Sequence, residues 1–317
     1  TSVASDRYPV VRYQVDGGAW TTTQLTPSTT DITISGLSSG SHTFKLEFSS
    51  GAPFSATSGL IDKWANPIYA IKITGFTLDE DSTVSLPTIA PTLIRFDGDS
   101  ITEGLRSVDA TDAISGNSAI LAFPYLIAQS MGAEHVQLGY GGQGWSTNGS
   151  GNVPNYPNAA GYYYASISRL SGGMLQESPD IWVIAQGTND NTANIVTAVQ
   201  NRLTQARIEA GDATKIILVV PFSGTERTNI TNAYNAYIAA NPTDLNTHLV
   251  DLGAGFSFTT TDGIHPNVAG HQAIATALGA EIDEIMNADP TIIFTNPTAT
   301  RTIEDTYYDF EIPWIQT

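Results

Sequence analysis

Cysteine is absent from all 317 residues, which excludes disulfides, a thiol nucleophile and thiolate metal ligands and leaves the redox compartment open. Positive charge is also scarce. Four lysines among 13 basic residues face 31 acidic ones, for a formal net charge of −18 at pH 7. Such a chain repels phosphate backbones and anionic lipid surfaces, which argues against nucleic-acid partners. No apolar run approaches the roughly 18 residues needed to cross a bilayer, so no membrane-inserted helix is expected. A basic start followed by an apolar segment is missing at "TSVASDRYPV", as in a trimmed mature form or a piece of a longer protein. Sparse, acid-biased charge is common in secreted or salt-exposed proteins, so an extracellular location is expected, with the oligomeric state unassigned. The length fits about two domains.

Residues 1–90 read as a small all-β sandwich, of jelly-roll or Ig-like type. "VVRYQVDGGAWTTTQL" places two β-rich runs around Asp16-Gly17-Gly18, a hairpin turn signal. "TDITISGLSSGSHTFKLEF" and "YAIKITGFTLDEDSTVSL" supply further candidate strands. From residue 91 the rhythm becomes strand, loop, helix. Apolar runs at "TLIRF", "HVQLG", "DIWVIAQ", "KIILVV" and "THLVDL" alternate with helical stretches, the last being "NVAGHQAIATALGAEIDEIM". This alternation predicts an α/β domain over 91–288, with a parallel sheet covered by helices on both faces. Two connections, roughly 104–120 and 143–160, are long enough to be functional. Residues 289–317 form a β-like C-terminal extension.

Ligands of an open parallel sheet bind outside the carboxyl ends of its strands. Asp99-Ser100 follows the first strand and "GYGGQGW", residues 139–145, follows the second. Gly187-Thr188-Asn189-Asp190 follows the third, and "TDGIHPN", with Asp262 and His265, lies beyond the fifth. A hydroxyl, a glycine-rich loop, an amide and an acid with an imidazole are the components of acyl transfer. Each also has a plainer reading. Ser100-Ile-Thr-Glu103 fits a helix capping box, the glycines fit a turn, Asn189 fits a cap, and His265 competes with His42, His135, His248 and His271. Placement at one sheet edge sets the group apart. Gly36-Leu37-Ser38-Ser39-Gly40 matches the nucleophile-elbow pattern, but it lies between β-type runs and reads as a turn.

"GDSIT", "GYGG", "GTND" and "DGIHPN", in that order over residues 94 to about 285, resemble the four blocks of the SGNH (GDSL-type) hydrolase superfamily. "GHQAIATAL" is similar to its final helix. The resemblance implies a flavodoxin-like three-layer α/β/α sandwich and an ester hydrolase without cofactor or metal. It implies Ser100 as nucleophile, His265 as general base and Asp262 as its orienting acid. The oxyanion hole would comprise the N–H groups of Ser100 and Gly142 and the amide of Asn189. Asp99 is read as bracing the turn that presents the serine.

A β-sandwich ahead of such a domain resembles secreted two-domain carbohydrate esterases, which implies removal of acetyl groups from a sugar or polysaccharide. Trp145, Tyr140 and the run Tyr162–Tyr164 are candidate sugar platforms, with core packing as the competing reading. The alternative is a broad short-chain carboxylesterase or arylesterase. A more distant one is a metal-dependent phosphatase using Asp97 and Asp99. Its required lysine is poorly matched, since Lys215 falls at the start of a strand.

Overall fold

The computed structural model describes residues 8–26, 30–50, 62–65, 71, 73, 75–85, 89–111, 113–165, 167–169, 179–191 and 194–288. The chain divides into two compact units, Thr1–Ile282 and Asp283–Thr317. The extension at 289–317 lies outside the described residues.

Strands β1 (Val10–Val15), β2 (Thr21–Gln24) and β3 (Phe44–Ser50) form an antiparallel sheet of order β2-β1-β3. The β1–β2 turn has Asp16 and Gly17 at φ 49° and 68°, matching the right-handed twist of the strands it joins. Expected strands over 31–36 do not form a ladder. Ile32 and Ile34 alternate with exposed neighbours, as along an extended strand, yet the segment pairs with none of the described strands. The run from Tyr69 falls partly outside the described residues, and its described positions between 71 and 85 carry no strand. Arg12 of β1 donates to Glu47 within this sheet and joins the sheet to the rest of the unit by donating to the Tyr125 hydroxyl.

The second sheet is parallel: β4 (Leu93–Gly98), β5 (Glu134–Gly139), β8 (Ile181–Ala185), β9 (Lys215–Val219) and β10 (Thr247–Val250), ordered β10-β9-β8-β4-β5. In chain order this is 2-1-3-4-5, the flavodoxin-like arrangement, whose switch point lies between β4 and β8. A single-turn helix, α3 (Tyr156–Ala159), and a short hairpin, β6 (Tyr162–Tyr164) and β7 (Ile167–Ser168), lie in the connection from β5 to β8. Register shows how the faces are used. Arg95 and Asp97 of β4 pair with Trp182 and Ile184 of β8, which pair in turn with Ile216 and Leu218 of β9. This face packs against α4 (Val196–Ala210) and α5 (Arg227–Ala240). Val199, Leu203 and Ala206 recur on the buried side of α4, the spacing of one helical face. On the other face Phe96 meets Phe123 of α2 (Phe123–Met131), which stacks on His271 of α6 (Val268–Asn287). The central strands β4, β8 and β9 are buried on both sides, so their sequences read as mostly apolar runs rather than as alternation.

Candidate active site

Ser100 opens α1 (Ser100–Glu103), directly after β4, and Asn189 follows β8, so the two flank the switch point. Asp99, rather than Ser100, is the N-cap of α1. Its Oδ1 accepts the Ile101 N–H at 2.9 Å. The expected capping box does not form, because both of its side chains have partners elsewhere. Ser100 Oγ lies 2.9 Å from His265 Nε2, while Glu103 accepts the Gly141 N–H at 2.8 Å and the Lys63 ammonium at 2.7 Å.

His265 Nδ1 stands 2.8 Å from Asp262 Oδ2, and Asp262 Oδ1 accepts the backbone N–H groups of His265 and Ile264 at 2.8 and 3.1 Å. Burial pushes the Asp262 carboxyl up. The His265 N–H, the Arg106 guanidinium and the imidazole outweigh it and hold the carboxyl well below the usual carboxylate range. An ionised carboxylate only accepts, so Nδ1 carries the imidazole proton and Nε2 is left to accept from the serine hydroxyl. Ser100 is 4 % and His265 9 % exposed. Asp99 is fully buried, and burial pushes its carboxyl up to about 6 against the lowering effects of Ile101 and Thr188.

The glycine loop is sorted by its hydrogen bonds. The Gly141 N–H goes to Glu103, and the Gly144 N–H to the Thr147 carbonyl at 2.9 Å. Gly139 ends β5 so close to α1 that a Cβ there would lie 2.2 Å from the Glu103 nitrogen. The Gly142 N–H finds no acceptor among the described residues, nor does that of Ser100. Gly142 has φ 77°, a conformation that glycine adopts without strain. Asn189 Nδ2 donates one proton to the Gln143 carbonyl at 2.8 Å, and its second proton meets no acceptor among the described residues.

Several residues that support the site were given no role by local sequence pattern. Arg106, at φ 52° in the 104–120 connection, reaches Asp262 Oδ2 at 2.8 Å. Asp190 accepts the N–H groups of Trp145, Ser146 and Thr147, tying the glycine loop to the end of β8. Lys63 comes from the N-terminal part of the chain. All three lie far in sequence from the groups they hold.

Other candidates fall elsewhere. Trp145 is 1 % exposed, packs edge-on against Tyr156 and donates its indole N–H to Gln186. A sugar platform needs an open ring face, so Trp145 is a core residue. Tyr140 is half-buried, gives its hydroxyl to the Tyr163 carbonyl and meets Trp64 edge-on. Among the rival histidines, His42 pairs with Asp16, His135 lies against Tyr125, His248 sits in β10, and His271 is buried in α6. Ser38 remains in a loop with no helix after it.

The phosphatase alternative fails on Asp97. This carboxylate points to the α4/α5 face and is bound by Arg95, Arg169, Tyr156 and Trp182, so no lone pair is presented at the sheet's carboxyl edge. Burial raises it, but Arg169 and Arg95 more than offset this and keep it ionised. Lys215 donates to Asn246 at the opposite edge. No cluster of three metal-ligating side chains occurs among the described residues, and no described helix is long and apolar enough to cross a membrane.

A family model described as the GDSL-like lipase/acylhydrolase family matches residues 96–273. No curated protein sequence matches the chain. Among solved structures, a family 2 carbohydrate esterase with a carbohydrate-binding domain, from Corynascus thermopiles (Myceliophthora fergusii), is similar. It has a TM-score of 0.66 at 21 % identity, over 88 % of each chain. A family two carbohydrate esterase from Clostridium thermocellum, in complex with cellohexaose, gives 0.64 at 20 %, over 89 % of this chain and 87 % of that one. An acetyl xylan esterase from the rumen bacterium Butyrivibrio proteoclasticus gives 0.64 at 17 %, over 89 % and 85 %. At these identities the likeness establishes a shared fold, and the family match supplies the chemistry. The chain therefore belongs to the GDSL-like lipase/acylhydrolase family and is a carboxylic ester hydrolase of the SGNH fold.

Proposed function

We propose that this protein removes short acyl groups, acetyl above all, from a carbohydrate or polysaccharide, using Ser100, His265 and Asp262. The observation that carries the reading is the continuous line Asp262–Nδ1, Nε2–Ser100 Oγ, at 2.8 and 2.9 Å. Ser100 Oγ attacks the ester carbonyl while His265 Nε2 takes the hydroxyl proton, and Asp262 stabilises the imidazolium that forms. The carbonyl π electrons move to oxygen, where Ser100 N–H, Gly142 N–H and the second Asn189 amide proton donate. One such donor is typically worth about 3–4 kcal/mol in the transition state. Collapse breaks the bond to the alcohol oxygen, which takes the proton from His265. Water then repeats the sequence on the acyl-enzyme, releasing the acid and restoring Ser100.

The carbohydrate part of the proposal draws on the N-terminal sheet, the similarity to enzymes named for carbohydrate substrates, and the aromatic group of Trp64, Tyr140 and Tyr162, of which Tyr162 is 41 % exposed. Residues 1–90 serve in this reading as an accessory β domain, 91–288 as the catalytic domain and 289–317 as an extension. Action outside the cell fits a polymeric substrate.

The test is an acyl-length series of aryl esters beside acetylated xylan, alginate and peptidoglycan, with wild type and Ser100→Ala. A preference for acetyl over octanoyl is expected, with at least ~1000-fold loss in the alanine variant. Equal activity on long chains would refute the deacetylase reading in favour of a broad carboxylesterase. Full activity in Ser100→Ala would refute the mechanism.

A further inference from the structure

Residues 62–65 of the N-terminal part lie against the loops around the active site, and their contacts form a connected set. Lys63 N–H donates to the Gly151 carbonyl at 2.9 Å, and the Ala165 N–H donates to the Trp64 carbonyl at 3.1 Å. The Trp64 ring meets Tyr140 and Tyr162 edge-on, with centroids 6.2 and 6.1 Å away. Lys63 Nζ reaches Glu103 Oε1 at 2.7 Å, with side chains only 12 % and 24 % exposed. The second oxygen of Glu103 holds the Gly141 N–H at 2.8 Å. Gly141 lies against the serine, since a Cβ built on it would stand 3.8 Å from Ser100 Cβ.

Glu103 is thus a partly buried carboxylate in the nucleophile's own helix, bound to the residue before Gly142. That position creates a conflict. Holding the glycine turn favours a strong acceptor, but a negative charge beside a developing oxyanion opposes the charge that forms there, and it does so strongly where water is excluded. The ammonium of Lys63 resolves the conflict by neutralising Glu103 while leaving its acceptor oxygen in place.

We infer that Lys63, brought in from the N-terminal part of the chain, is a positioning residue of the esterase site: it neutralises Glu103 so that the Gly141–Gly142 turn is held without a net negative charge beside the oxyanion. The inference rests on the proposed Ser100 mechanism with Gly142 as oxyanion donor. It also gives residues 62–65 a part in catalysis, because the hydrolase sheet by itself supplies the carboxylate without its counter-charge.

The test compares Lys63→Met, Lys63→Arg, Glu103→Gln and the double variant Lys63→Met/Glu103→Gln in the full chain, on an acetyl aryl ester, with Ser100→Ala as control. Loss of a whole oxyanion donor, about 10²- to 10³-fold, bounds this indirect effect from above, so Lys63→Met is expected to lower kcat by about 10- to 100-fold with KM within about threefold. Lys63→Arg retains most of the rate. The double variant recovers most of what Lys63→Met loses, because glutamine keeps an acceptor for Gly141 and carries no charge. A contact that merely held the fold together would give no such rescue. Wild-type kcat in Lys63→Met, or a folded double variant no faster than Lys63→Met, would overturn the inference. If Lys63→Met does not fold, Lys63→Gln decides: a tenfold or larger drop in kcat that Glu103→Gln in the same chain restores supports it, and wild-type kcat refutes it. An inactive Ser100→Ala beside a fully active Lys63→Met would sink this inference alone. An active Ser100→Ala would sink the esterase mechanism beneath it.

Discussion

Arg106 Nη1 lies 2.8 Å from Asp262 Oδ2, the carboxylate oxygen that also faces His265 Nδ1 at 2.8 Å. The acid is therefore gripped from two directions, by the 104–120 connection and by its own loop. Hydrogen bonds to charged groups contribute about 1.5–3 kcal/mol, so Arg106→Met is expected to lower kcat/KM roughly 10- to 100-fold. Arg106→Lys should fall between that variant and wild type. Steady-state rates on an acetyl aryl ester check this. An unchanged kcat/KM would mean that the N–H groups of Ile264 and His265 orient the acid unaided.

Asn189 gives one amide proton to the Gln143 carbonyl, and the other meets no acceptor among the described residues. Asn189→Ala should therefore reduce kcat by about 10²- to 10³-fold with little change in KM, as for loss of an oxyanion donor. A variant that raised KM at constant kcat would instead assign Asn189 to ground-state binding.

Trp145 and Tyr162 should separate in opposite ways. Truncating the buried Trp145 to alanine is expected to remove about 3–5 kcal/mol of stability, read as a lowered urea midpoint. Tyr162→Ala, at an exposed position, should leave that midpoint nearly unchanged and raise KM on a polymeric substrate more than on an aryl acetate. Equal KM shifts on both substrates would remove Tyr162 from the sugar site.

Asp97 should behave as a structural hub. Asp97→Asn removes the buried charge that Arg95 and Arg169 both bind, so a loss of roughly 3–5 kcal/mol is expected. Retained wild-type stability would show that the Asp97 charge is not what holds this cluster together.

Two buried groups shape the acid side of the stability curve with opposite signs. Burial pushes His271 down to about 3 from 6.5, so the unfolded chain takes up that proton first as pH falls below 6.5, and stability is lost at about 1.4 kcal/mol per pH unit. Burial pushes Asp99 up to about 6 from 3.8, so the folded chain takes up its proton first between about 6 and 3.8, and stability is gained over that window. The two nearly cancel from pH 6 to 4. His271→Gln is expected to grow more stable relative to wild type as pH falls across this range, and Asp99→Asn to grow less stable. Urea titrations at pH 7, 6, 5 and 4 provide the check, and parallel curves for all three proteins would contradict it. Asp97 and Asp262, both held low, contribute stability that is lost only below about 3.8.

The parallel sheet was legible because strands buried on both faces are mostly apolar, and each candidate site residue could be placed from the strand it follows. The N-terminal strands were harder to read. Ile32 and Ile34 show an extended alternation without a ladder, because alternation reports burial and a ladder requires a partner strand. Trp145 was ambiguous for a related reason: an aromatic residue in a glycine-rich loop has the same local signature whether its ring faces a sugar or the core.

The stretch "GDSITE" shows where local reading ends. Its residues determine that a helix begins after β4 and that a hydroxyl stands at its first turn, because Asp, Ser and Glu all suit a helix start. Which of them caps was decided by partners distant in sequence. His265 engages the serine, Gly141 and Lys63 engage the glutamate, and Asp99 is left to bind Ile101. Chain order and residue type thus set the fold class and the chemical groups at the sheet edge, since both follow from short-range pattern. The pairing of those groups, and the arginine and lysine that support them, depended on the tertiary structure, because a hydrogen bond is fixed by distance in space and not by separation along the chain.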